Sequence, residues 1–223
     1  MKRLTKASVV VRRLGTIKDP EDLKSPPLGV SIIVAGREKR GTRVYFFVDP
    51  KGGGVVKKIA EQIVLHRWRR QNSLLLQFSG ARLGPKVWRT LPMILDRDPG
   101  KWPSLSEAEI NNKIKASRES MRDTYAKLPD AKVLRVIFDY CGGKRLENIV
   151  SRHTDPMRAG QFGTPDLFIY AISKKTGKPQ RQRFLEVKKP EEPLKPVQKD
   201  EIYFLQSLGL QAHVVRLIER GIS

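Results

Sequence analysis

Cysteine is almost missing from this chain: Cys141 is the only one in 223 residues, which excludes an internal disulfide framework and a cysteine-based zinc site. Set before the Gly142-Gly143 pair, it reads as a small buried residue and not as a nucleophile. Histidine is scarce as well. His66, His153 and His213 show no ligand spacing between them, and each reads as a structural or surface residue. No apolar run reaches the roughly 18 to 20 residues that a spanning helix needs, and no stretch has the pattern of an amphipathic membrane anchor. Near the start, Arg12 and Arg13 interrupt the apolar stretch too soon for a secretory signal. Internal repeats and long low-complexity tracts are also missing, which argues against a solenoid or a disordered tail. What remains is a globular chain expected to work inside a cell, in cytoplasm or nucleoid, or in the nucleus of a eukaryote.

Acidic residues are the other shortage. There are 23 of them against 44 Lys and Arg, a formal net charge of +21 and a pI near 10.3. Such an excess exceeds what solubility requires and attracts polyanions, so nucleic acid is the expected partner and a membrane is not. The excess is also local. Lys174 to Lys199 holds nine basic residues against three acidic ones, and positive charge is expected where phosphates must be held. Lys178, Arg181, Arg183, Lys189 and Lys195, with Arg158 upstream, are the candidate nucleic-acid contacts.

That basic stretch surrounds the most informative residues of the chain. GTPDLFIYA (163–171) and FLEVKKP (184–190) each have strand character, and side chains alternate along a strand. Asp166, Phe168 and Tyr170 therefore share one face, and Glu186 and Lys188 share another, opposite Leu185 and Val187. Carboxylate oxygens suit Mg²⁺ or Mn²⁺, and a lysine beside them can orient a water or hold phosphate charge, which is the chemistry of phosphodiester hydrolysis. Taken alone, an E-x-K on a strand is most often a solvated edge with an incidental ion pair. Here it has company: Gly163 and Pro165 turn the chain into the Asp166 strand, a hairpin-length connection leads to the second strand, and a helix starting near Pro196 carries Gln198.

GTPDLF, LEVKKP, the polar break with Leu194 and the helix opened by Gln198 together resemble the VRR-NUC branch of the PD-(D/E)XK nucleases. Upstream, CGGKRLENIVSRHTDPMRAGQFGTPDLF (141–168) is similar to the approach to the first catalytic acid in the Fanconi anaemia-associated nucleases. The resemblance implies a restriction-endonuclease-like α/β fold, a mixed sheet flanked by helices, with an N-terminal β-rich segment (1–50) ahead of a nuclease domain (51–223) that contains a helical insertion. It implies Asp166, Glu186 and the main-chain carbonyl of Val187 as metal ligands, Lys188 as the catalytic lysine and Gln198 as an active-site glutamine, with Glu192 in a structural turn. It further implies cleavage of flapped, branched or junction DNA, and a homodimer is one way to gain grip on such a substrate. The family supplies another acid from an early helix, and here the chain departs from the pattern. LLLQFSGARLG offers Gln77 at that place, and Glu109 in SEAEINNKI is the other candidate. A DNA-binding module with a decayed nuclease fold, or a restriction-type endonuclease, therefore stay open as alternatives.

Punctuation and periodicity predict the elements. VVVRRL, GVSIIVAG and TRVYFFVD read as strands and Val55 to Arg70 as one amphipathic helix with Trp68 in its core face. A helical region follows Pro85, and Asp98-Pro99-Gly100 breaks it. Ser104 or Ser106 caps a polar helix running toward Lys127, and further helices are expected over Ala131 to Tyr140 and Arg145 to Arg152. Lys195 to Leu208 is the last helix, ended by Gly209, and GLQAHVVRLI the closing strand.

Overall fold

The computed structural model describes residues 30–32, 34–35, 45–48, 55–71, 73–120, 128–158, 163–189 and 192–219. The strand expected over VVVRRL and the domain boundary expected at residue 50 lie outside them. In chain order the elements are β1 (Val30–Ile32), β2 (Val34–Ala35), β3 (Tyr45–Val48), β4 (Val55–Lys58), α1 (Ala60–Arg69), β5 (Leu76–Arg82), α2 (Val87–Ile94), a 3₁₀ turn (Pro99–Ser104), α3 (Glu107–Ser120), α4 (Ala131–Cys141), α5 (Gly143–Thr154), a short 3₁₀ turn (Pro156–Arg158), β6 (Leu167–Ser173), β7 (Pro179–Lys188), α6 (Pro196–Ser207) and β8 (Ala212–Glu219). Hydrogen bonding orders one sheet β1-β8-β7-β6-β5 and a second β2-β3-β4. The first is mixed: β1 runs parallel to β8, while β5, β6 and β7 are antiparallel neighbours. With its flanking helices this is the expected restriction-endonuclease-like α/β fold.

Two compact units share these elements. One comprises residues 1–64, 187–193 and 214–223 and contains the β2-β3-β4 sheet and the β1/β8 pairing. Val55 to Lys58 is the first part of the expected helix, yet it forms β4, with Val55 opposite Val48 and Lys58 opposite Tyr45. Two β-branched residues next to a complementary strand gain a ladder there, and helical spacing over four residues is too short to prevail.

The other unit, residues 65–186 and 194–213, holds the helices and the hairpin that carries the acids. Its core is aromatic. Phe168 and Phe184 are cross-strand partners on β6 and β7 with ring centroids 5.1 Å apart, and Tyr140 of α4 and Trp88 of α2 pack on them. Trp68 belongs to this core as expected: its indole N–H donates to the Ser79 and Tyr170 carbonyls, and its ring meets Phe78 edge-on at 4.9 Å. Of the two proposed caps for α3, Ser106 is the one used. Gly209, with φ +75°, ends α6 in the left-handed conformation that favours glycine.

Candidate active site

The hairpin register decides how the two principal acids meet. Leu167 on β6 stands opposite Leu185 on β7 in an antiparallel pair. Asp166 immediately precedes that first paired residue and Glu186 immediately follows its partner, so the two acids stand at the same end of the ladder. Strand alternation returns Glu186 to the side of β7 that carries Phe184. The main chain of Asp166 is fixed because its carbonyl accepts from the Leu83 amide at 2.7 Å. Just upstream, the Thr164 hydroxyl donates to the Pro85 carbonyl at 3.2 Å.

Gly163 explains why the third residue of the set arrives at the same place. A Cβ added there would lie 2.6 Å from the Gln198 Cα and 2.7 Å from the Val197 carbonyl oxygen. Only a residue without a side chain lets the segment leading to Asp166 touch the first turn of α6. Gln198 sits in that turn, and both ends of its amide are engaged. Its Oε1 accepts from the Lys195 backbone amide at 3.0 Å, the returning half of a capping box, and its Nε2 donates to Glu186 Oε1. Because the cap consumes the oxygen, the amide must present N–H to the acid. Glu186 is only 2% exposed, so a donated hydrogen bond offsets part of the cost of a buried carboxylate.

Lys188 lies two residues beyond Glu186 on β7, where strand alternation returns side chains to one face. At 1% exposed it is buried, unlike the solvated edge that an isolated E-x-K most often makes. Its Nζ is 3.4 Å from Glu192 Oε1, and Glu192 Oε2 also accepts from the Lys189 amide at 3.1 Å. Arg216 donates to the Lys189 and Glu192 carbonyls at 3.2 and 2.7 Å. Glu192 thus closes a turn, as expected, and also holds the lysine.

Neither candidate for the additional acid joins this group. Gln77 is exposed on β5 opposite Ile172, five residues from Arg82, which faces Leu167. At about 3.3 Å per residue it stands roughly 17 Å away along the strand. Glu109 spends its carboxylate on its own helix, accepting from both the Ser106 amide and hydroxyl at 2.7 Å, and the Ser106 hydroxyl hydrogen bond holds its pKa below the ordinary value. Among the described residues no group of three or more His, Cys, Asp and Glu side chains forms a metal-holding cluster.

Of the expected DNA contacts, Arg158, Lys178, Arg181 and Lys195 are exposed. Arg181, at φ +53°, is next to the register shift between β6 and β7. Lys189 and Arg183 are partly buried, and burial followed by the nearby Arg181 charge lowers the Arg183 pKa.

A family model described as the VRR-NUC domain matches residues 103–217. The chain belongs to the VRR-NUC family. Its matched part contains every residue of the acid, lysine and glutamine set. Among solved structures, the VRR-NUC chain is similar to paFAN1 bound to a 2-nt 5′ flap DNA with a gap, at 12% identity and TM-score 0.50 over 87% of this chain and 38% of that one. A second structure, of paFAN1 with a 1-nt 5′ flap and a gap, superimposes at 12% identity and TM-score 0.46 over 86% and 37%. The chain thus spans well under half the length of these structural neighbours. No curated protein matches it.

Sequence reasoning missed one buried constellation in the VRR-NUC region. Glu201 is fully buried, with Oε1 2.7 Å from His153 Nε2 and Oε2 3.0 Å from Arg152 Nε. Burial is the largest influence on its pKa and pushes upward, yet the hydrogen bonds and charges of His153 and Arg152 together hold it below the ordinary carboxylate value. The signal was present: Glu201 falls at i+4 from Val197 and i−4 from Leu205, an acid on the apolar stripe of a helix.

Proposed function

We propose that this VRR-NUC chain is a divalent-metal-dependent DNA nuclease selective for flapped or branched DNA. The observation that supports the reading is the Gln198 amide donating to buried Glu186, at the end of the β6/β7 ladder where Asp166 enters β6. The carboxylates are hard oxygen ligands, to which the family resemblance adds the carbonyl of Val187, and Mg²⁺ or Mn²⁺ is commonly held by one or two carboxylates with water completing the shell. Such an ion, when bound, polarises the scissile phosphate and acidifies a water. The chain's own groups do the rest. Asp166 and Glu186 supply the negative charge that recruits the cation, while Gln198 keeps the Glu186 carboxylate in one rotamer. Lys188, with a compact ammonium held by Glu192, is suited to orient the attacking water or to stabilise charge on the phosphate. Exposed Arg158, Lys178, Arg181 and Lys195 contact the DNA backbone, and a homodimer would double that surface. A nuclease of this kind works inside the cell.

The 5′ flap DNA named for the paFAN1 structure supports the choice of substrate class. The test is cleavage of labelled flaps, junctions and linear duplex with Mg²⁺ or Mn²⁺. Wild type should cut branched substrates, while Asp166→Ala and Glu186→Ala should bind DNA and fold normally but not cut. Wild-type turnover in either variant would remove these acids from the site.

The placement of Gln77 and Glu109 favours one rival, a DNA-binding module whose nuclease site has decayed. A metal titration separates the two, because a binding module gains no cleavage at any Mg²⁺ or Mn²⁺ concentration.

A further inference from the structure

Gln198 can serve the proposed site only if the helix that presents it is held in place. Apolar packing alone tolerates small rotations and slides of a helix, since one methyl contact replaces another. A larger rotation or a slide of α6 would take the Gln198 amide off Glu186 while keeping much of the core buried. Something directional has to fix the helix.

Glu201 is three residues beyond Gln198, so the two lie on neighbouring positions of one helical face. Its carboxylate is fully buried and takes hydrogen bonds from two consecutive residues of α5: His153 Nε2 at 2.7 Å and Arg152 Nε at 3.0 Å. The same Arg152 guanidinium stacks 4.5 Å over the Phe204 ring, one turn further along α6. Three directional contacts therefore tie the C-terminal half of α5 to the middle of α6. Any slide or rotation would strand a buried carboxylate away from its donors, and that penalty makes the alignment discrete. At its start the same helix meets the Gly163 backbone, so α6 is fixed at two separated points and Gln198 lies at the first of them.

We infer that Glu201, clamped by His153 and Arg152, is a positioning residue that holds Gln198 on Glu186 and so keeps that carboxylate in its metal-binding orientation. The inference rests on the metal-dependent reading of the site. Its rival is a buried ion cluster that only contributes stability, and the two differ in whether Glu201 acts through Gln198.

The test uses the full chain, with Mn²⁺ binding measured by titration calorimetry in the absence of DNA and single-turnover cleavage of a 5′ flap measured alongside. Three variants are compared with wild type: Gln198→Ala, Glu201→Gln and the double substitution. Glu201→Gln preserves the side-chain shape and removes the charge that binds both donors. Positioning predicts that each single variant weakens Mn²⁺ binding about 10- to 100-fold, the usual effect of losing a group that orients a ligand. The double variant should be no weaker than Gln198→Ala, because both changes break one path. Unchanged Mn²⁺ binding in folded Glu201→Gln, or losses that multiply in the double variant, would overturn the inference. If Glu201→Gln unfolds at the assay temperature, Arg152→Gln, at the more exposed edge of the cluster, is compared in the same cycle and judged by the same outcomes. Wild type that binds Mn²⁺ yet cuts no DNA defeats the nuclease reading while the calorimetry still decides Glu201. Wild type that binds no Mn²⁺ defeats both.

Discussion

Lys188 is the residue at which burial changes the argument most. An exposed lysine paired with a carboxylate is worth at most about 1 kcal/mol, and its loss would leave chemistry untouched. Lys188 is buried, with Glu192 at 3.4 Å, so its ammonium is desolvated and placed. Lys188→Ala should slow single-turnover cleavage by about 10²- to 10⁴-fold, the usual share of a positioned acid-base or electrostatic group. Arginine should not restore the rate, because a permanently charged planar fork cannot replace a compact ammonium that can release a proton. Near-normal rates in both variants would return Lys188 to a structural role. That Glu186 and Lys188 share one face of β7 was legible in the sequence, because a period of two fixes which strand residues lie together. The resemblance brought in Gln198, and only the structure shows both ends of its amide in use. Glu201 escaped because an acid next to Asp200 in a polar helix looks like surface until the apolar stripe through it is traced. Cys141 was read correctly as a small buried residue: burial pushes its thiol up to about 12, which leaves it inert as a nucleophile.

At the scale of elements, the boundaries and the type of most helices were readable from caps and breakers. Ser106, Asp98-Pro99-Gly100 and Gly209 each mark an end with a specific physical cause. The failure at Val55 to Lys58 has a physical origin: the segment pairs with Tyr45 to Val48 just upstream, and four residues carry too few positions to separate a period of 2 from one of 3.6. The stretch around Gln77, placed in an early helix by the family pattern, is instead the strand β5. One strand also carries a measurable pH dependence. His213 on β8 is buried beside Arg183, and burial first, then that positive charge, lowers its pKa from 6.5 to about 4. The unfolded chain therefore takes up a proton below about pH 6.5 that the folded chain refuses until about pH 4. His213 should thus favour unfolding increasingly as pH falls through that window, with a ceiling of about 3 kcal/mol. His213→Gln should flatten the melting-temperature profile between those limits, and an unchanged slope would show that the imidazole is not responsible.

For the molecule as a whole, the net charge of +21 sets how binding responds to salt. If exposed Arg158, Lys178, Arg181 and Lys195 each neutralise one phosphate, replacing all four by alanine should reduce the log-log salt slope of duplex binding by about 3 to 4, at roughly 0.9 per contact. Partly buried Arg183, whose desolvated guanidinium packs near Tyr140, should instead act on stability. An unaltered slope in the fourfold variant would move the interface to another face. Tolerance to change is uneven over such a molecule, and Gly163 shows where ordinary intuition about loops misleads. Scanning with alanine asks what is lost when a side chain is trimmed, so a loop glycine is commonly skipped or scored as neutral. At Gly163 alanine is an addition: the new methyl would have to displace the first turn of α6, and the damage would surface at a carboxylate on another strand. A catalogue of sensitive positions compiled from removed atoms would omit the contact that lets the hairpin and the helix share one site.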